Sequence, residues 1–205
     1  MLHRDTSACI SHFLNNSEKV QWLQSSKREY NASHDYRWES VKMSENNMPK
    51  RGKIQIITEA YQSPPKGTKS VSFGELFNQP VILPEGLLQV TFGEFFNQPV
   101  ILPEGLLQVT FNYWFNKLVI LPQGLQQITF GCDFNQPVIL PQELQQVTFG
   151  HHFNQSVILP EGLLQVTFGR YFNQPVILPQ GLLQVTFGQY FNRSVILPQG
   201  CVRVN

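Results

Sequence analysis

The chain has 205 residues, 41% hydrophobic and 14% charged, which is enough for one or two domains with a core. Its formal net charge of +1 divides into 11 Lys/Arg against 7 Asp/Glu over residues 1–72 and 4 against 7 over residues 73–205. Neither part clusters cations as phosphate binding requires, and no apolar run reaches the roughly 18 residues of a membrane span, so neither nucleic acid nor membrane is expected as a partner.

Cys9, Cys132 and Cys201 are odd in number and far apart, so they imply no disulfide framework. Free thiols fit a reducing compartment, and residues 1–16 lack an apolar stretch of signal-peptide length. The expected location is the cytoplasm. The Asn-x-Ser triplets at Asn15, Asn31, Asn154 and Asn192 are then chance matches.

Residues 1–53 are rich in Ser, Asn, Lys and Glu and read as a polar arm, partly disordered or weakly helical. Ile10, Phe13 and Leu14 make one short helical pattern, and Val20, Trp22 and Leu23 behind Ser17 make another. Neither is long enough to fold alone. A β-type run, Lys53–Thr58, follows, then a Pro/Gly break at residues 63–67.

From residue 54 to 205 the chain reads as one solenoid of about seven 19-residue coils. Phe73, Phe92, Phe111, Phe130, Phe149, Phe168 and Phe187 recur at that interval, and so do Asn78, Asn97, Asn116, Asn135, Asn154, Asn173 and Asn192. A unit this small cannot bury its own apolar face and must stack on its neighbours. Residues 54–72 form a degenerate first coil. Pro65–Phe73 aligns with Pro84–Phe92, but Thr68 and Lys69 replace Leu87 and Leu88, as suits a cap with one open face.

Within a coil, Val90 and Phe92 alternate with Gln89 and Thr91, the period of a β-strand with one buried face. Equivalent strands one coil apart predict a single parallel sheet at a spacing of about 4.8 Å. Val81-Ile82-Leu83 is a second short extended run on the return side, where 19 residues leave little room for a helix. The fold class is therefore mainly β, a right-handed repeat solenoid. Six inward apolar side chains per coil are expected: both Phe, one or two of Val-Ile-Leu, and the strand Leu and Val.

The residue after the strand Phe is Gly74, Gly93, Asn112, Gly131, Gly150, Gly169 or Gly188. Gly and Asn tolerate positive φ, so a left-handed turn is expected there. In the other glycine column Glu143 replaces Gly, so positive φ is not required. The unbroken Asn column reads as a structural ladder to the turn backbone of its own or the next coil. At the C-terminus Cys201–Asn205 aligns with the Leu-Leu-Gln-Val-Thr strand, leaving Arg203 as its one charge against edge pairing.

The tetrapeptide Phe-Asn-Gln-Pro, followed by Leu-Pro and Leu-x-x-Val-Thr-Phe-Gly over residues 65–205, resembles the FNIP repeat, a relative of the leucine-rich repeat. Units of that family run to about 22 residues, so these are about three shorter, on the return side. The resemblance implies a solenoid used for protein interaction and no shared catalytic residues. Near-identity of residues 77–92 with 96–111 points to recent tandem duplication.

Function could reside in the two variable positions before each Phe-Asn pair, where Phe95, Tyr113, Trp114, His151, His152, Arg170, Tyr171 and Tyr190 lie. Aromatic and mixed-charge variation on a fixed scaffold is the pattern of a recognition strip, and drift at exposed turns is its bland rival. The expected function is a non-enzymatic interaction scaffold without cofactor, binding a protein partner of unknown identity. An alternative is a self-assembling or surface-binding structural protein that uses the Gln and Thr columns, with edge-to-edge self-association at the C-terminal strand. A remote alternative is a metal site formed by Cys132, Asp133, His151 and His152, or a hydrolase at Cys132 and His151, since Cys132 should neighbour His151 one coil on and Asp133 should neighbour His152. Adjacent histidines in an extended turn diverge, and a convex turn offers no orienting third group and no pocket, so no metal ligands and no catalytic residues are expected.

Overall fold

The computed structural model describes residues 54–55, 64 and 66–204, all within the compact unit Pro49–Asn205. The expected polar arm and its two helical patterns lie outside the described residues. Among the described residues nine strands form one sheet in chain order: β1 (Ile54–Gln55), β2 (Ser70–Ser72), β3 (Gln89–Thr91), β4 (Gln108–Thr110), β5 (Gln127–Thr129), β6 (Gln146–Thr148), β7 (Gln165–Thr167), β8 (Gln184–Thr186) and β9 (Val202–Val204). Every pairing is parallel. From β2 to β8 each register advances by one repeat, as in Val71↔Val90 and Val166↔Val185. No helix occurs among the described residues.

From β3 to β8 each strand keeps only its Gln-Val-Thr centre (Gln-Ile-Thr in β5), and the two turns of the coil explain why. Leu87 N–H donates to the Pro84 carbonyl (3.4 Å) and Phe96 N–H to the Gly93 carbonyl (3.3 Å), closing a β-turn on either side of β3. The same pair of turns recurs in later coils. Val90 is buried between half-exposed Gln89 and Thr91, and six apolar side chains of that coil (Leu87, Val90, Phe92, Phe96, Val100 and Leu102) face the core. The return side carries no strand. Its Val-Ile-Leu run alternates, with Val and Leu inward and Ile outward.

Two columns of phenylalanine rings fill the interior. In the strand column neighbouring rings lie 5.1–6.1 Å apart, and each strand ring stacks on the second Phe of its own coil at 3.8–4.5 Å. Offset ring pairs at such distances add about 0.5–1.5 kcal/mol each beyond area burial. The Asn column is a ladder, as expected, and its bonds run to the next coil. Asn78 Oδ1 accepts from Asn97 N–H at 2.9 Å, and equivalent rungs of 2.9–3.2 Å continue to Asn192.

The glycine after the strand Phe is not in a left-handed turn; the expectation is corrected. Positive φ occurs instead in the other glycine column, and only at Gly67, Gly86 and Gly200 near the ends of the solenoid. What the first column requires is close approach. A Cβ on Gly93, Gly131 or Gly150 would lie 1.9 Å from the carbonyl oxygen of the same position one coil earlier. Asn112 is admitted there with its side-chain amide donating to the Phe92 carbonyl at 2.8 Å. In the second column Gly105 has nothing within 4 Å of a Cβ, which explains why Glu143 fits.

Both ends of the sheet depart from the repeat. β1 pairs with β2 as Ile54↔Val71, two residues short of a full repeat, while buried Thr68 occupies the leucine position. At the other end Val185 faces Arg203, one residue short, so the expected alignment of Arg203 with the Gln column is corrected. A one-residue slip turns a side chain to the opposite face. Arg203 accordingly lies over the ring of Phe187 at 5.2 Å, covering the last ring of the strand column as a cation–π contact.

Candidate functional site

The variable residues occupy the two central positions of the Gly-x-x-Phe turn, such as Glu94-Phe95 between Gly93 and Phe96. The phenylalanine that closes each turn is anchored in the core, so the tip is presented from a fixed base. A second backbone seam joins the tips. Phe95 N–H donates to the Glu75 carbonyl at 3.0 Å, Trp114 N–H to Glu94 at 3.0 Å, and His152 N–H to Cys132 at 2.9 Å. The seam continues through Tyr171 to Tyr190.

This seam aligns the predicted strip. Phe95, Tyr113, Trp114, Tyr171 and Tyr190 are each 41–47% exposed, and His151, His152 and Arg170 are exposed as well. Phe95 stacks on Trp114 at 6.2 Å, with Tyr113 tilted against Trp114 at 5.4 Å. Further along, His152 tilts against Tyr171 at 5.3 Å, and Tyr171 stacks on Tyr190 at 5.3 Å. The Arg170 guanidinium lies over both tyrosine rings, 5.6 and 5.4 Å from their centres. Asp133 divides the row into two aromatic groups.

At that division the metal candidates are partly brought together. One ligand atom each from Cys132, Asp133 and His152 lies within 4.8 Å of the others, and His151 is outside the group. The divergence of the two histidines is thus as expected, but it removes only one of them. A hydrogen bond between the Tyr113 hydroxyl and the Cys132 side chain, followed by charge on Cys132, holds the Tyr113 pKa above its ordinary value. Burial and the carboxylates of Asp133 and Glu94 act in the same direction. Burial alone raises the Cys201 thiol.

The outward Gln and Thr columns form a shallow, polar sheet face around Gln108, Thr110, Gln127 and Thr129. A row that sequence reasoning did not single out lies on the return side. Ile158, Ile177 and Ile196 are 89–90% exposed, preceded by Ile139 at 60%. Their signal is the alternation inside Val-Ile-Leu, whose phase is ambiguous when all three residues are apolar.

Residues 115–152 match the FNIP Repeat family. No curated protein sequence matches the chain. Among solved structures, the chain is similar to one described as the crystal structure of CroV588, a novel circular LRR protein structure, at 32% identity and a TM-score of 0.56. The match covers 68% of this chain and 27% of that one. This chain therefore spans well under two thirds of its neighbour's length.

Proposed function

We propose that this FNIP-repeat, leucine-rich-repeat-like protein is a non-enzymatic scaffold that binds a protein partner through the aromatic turn row. The observation that carries the reading is the alignment of half-exposed rings along a hydrogen-bonded backbone seam. Rigid aromatic side chains lose little conformational freedom on binding and supply most hot spots at interfaces. Arg170, held over Tyr171 and Tyr190, adds a charged group of the type enriched at such surfaces. The half-buried free thiols Cys132 and Cys201 support a reducing location such as the cytoplasm.

The test is partner recovery on the immobilised full chain, comparing wild type with Trp114→Ala and Tyr171→Ala. Removal of a central aromatic anchor is expected to weaken binding by about 2 kcal/mol, roughly 30-fold. Unchanged recovery with both variants would sink the aromatic row as the binding surface. The isoleucine row supports a second reading of the same class, because contiguous exposed apolar residues mark interaction surfaces. Loss of recovery in Ile158→Ser/Ile177→Ser, with the aromatic variants unaffected, would favour that reading.

A further inference from the structure

We propose that Cys132, Asp133 and His152 form a three-ligand site for a zinc-type divalent cation, bridging two adjacent turns of the solenoid. A thiolate, a carboxylate and an imidazole are the three side-chain donors that zinc takes. Two come from one turn tip and the third from the next, with all donor atoms within 4.8 Å of one another. A tetrahedral zinc with bonds of about 2.0–2.3 Å sets its donors roughly 3.3–3.7 Å apart, so about 1 Å of side-chain rotation completes the site. The three side chains leave the fourth position to water or to a donor carried by a partner.

The placement is a consequence of the fold. Phe134 and Phe153, which close the two turns, are fully buried, and His152 N–H is bonded to the Cys132 carbonyl at 2.9 Å. Asp133 N–H is held in the same way by the Tyr113 carbonyl at 2.9 Å. The coil spacing therefore fixes the separation of the two tips before any ion arrives. The Tyr113 hydroxyl, hydrogen-bonded to the Cys132 side chain, stands where an outer partner orients a metal-bound thiolate. Cys132 and Asp133 are half-buried while His152 is exposed, so the ion has an open approach from solvent. Among the described residues no other coil has an equivalent trio, which makes the site a specific addition to one place in the turn row.

The test uses the full chain with Cys9→Ser and Cys201→Ser, leaving Cys132 as its one thiol. Cobalt(II) is titrated in and then displaced by zinc, while circular dichroism checks that the sheet is intact. The expected result is a thiolate-to-cobalt absorption band that saturates at one equivalent and is abolished by Cys132→Ser. Loss of the imidazole ligand in His152→Ala should weaken binding at least about tenfold, Asp133→Asn severalfold, and His151→Ala less than about twofold. Absence of the band overturns the proposal. So does equal affinity in His152→Ala and the parent, which would mean that Cys132 binds alone, or equal weakening by His151→Ala and His152→Ala.

Discussion

In each coil the Phe-Asn corner and the turn tip beside it are immediate neighbours, yet they behave in opposite ways. Phe153-Asn154 repeats what six other coils carry, whereas His151-His152 occurs once. The corner is locked on both sides: Phe153 stacks between Phe134 and Phe172 at 6.1 and 6.0 Å, and Asn154 both accepts from and donates to adjacent coils. The tip is joined to its neighbours by a backbone bond and by contacts that differ from coil to coil, such as His152 against Tyr171, and its side chains reach solvent. In this solenoid, identity between coils follows the side chains that must match their own copies at stacking distance. Variation is tolerated where the repeated bond is a backbone one and the side chains are partly exposed.

Substitutions at the two regions put that contrast to work. Phe149→Ala removes a ring stacked on Phe130, Phe153 and Phe168, and should lower stability by about 3–5 kcal/mol in urea unfolding. Gly150→Ala should cost about 1–3 kcal/mol, because its Cβ would meet the Gly131 carbonyl, whereas Gly105→Ala should be neutral or stabilising by up to about 1 kcal/mol. Gly150→Asn is expected to be milder than Gly150→Ala, since Asn112 shows an amide bonding back to the preceding carbonyl. Equal effects at Gly150 and Gly105 would contradict the close-approach account. Asn135→Ala leaves Asn154 N–H without its acceptor and should cost about 1 kcal/mol, the low end for a half-buried group.

The period, the parallel register and the six inward positions were legible because a residue facing its own copy every 19 positions restricts what can sit there. Asn154, too, could be read as structural from repetition alone. The reason for glycine at Gly93 and Gly150 was not legible: Gly and Asn satisfy a left-handed turn and a tight carbonyl approach equally well, and only the distance between coils distinguishes them. Arg203 was misplaced because extrapolating the period assumes that the last strand keeps register, whereas β9 slips by one residue and Arg203 lies over Phe187. At the turn row, sequence spacing placed the variable columns side by side at exposed turn tips. It could not fix which histidine joins Cys132 and Asp133, since that depends on the rotation of the tip. The outward Ile158 and Ile177 were hidden for a related reason, an alternation written entirely in apolar residues.

The central claim is that the turn row is carried by the solenoid without holding it together, and the smallest expected effect tests it most directly. The measurement is the urea unfolding midpoint, with circular dichroism, of the triple variant Trp114→Ala/Tyr171→Ala/Tyr190→Ala beside Phe149→Ala. Half-exposed ring contacts are worth a few tenths of a kcal/mol each, so the triple variant should keep the wild-type spectrum and lose less than about 1 kcal/mol in total. A loss matching that of Phe149→Ala would show that the row is part of the core and contradict the account.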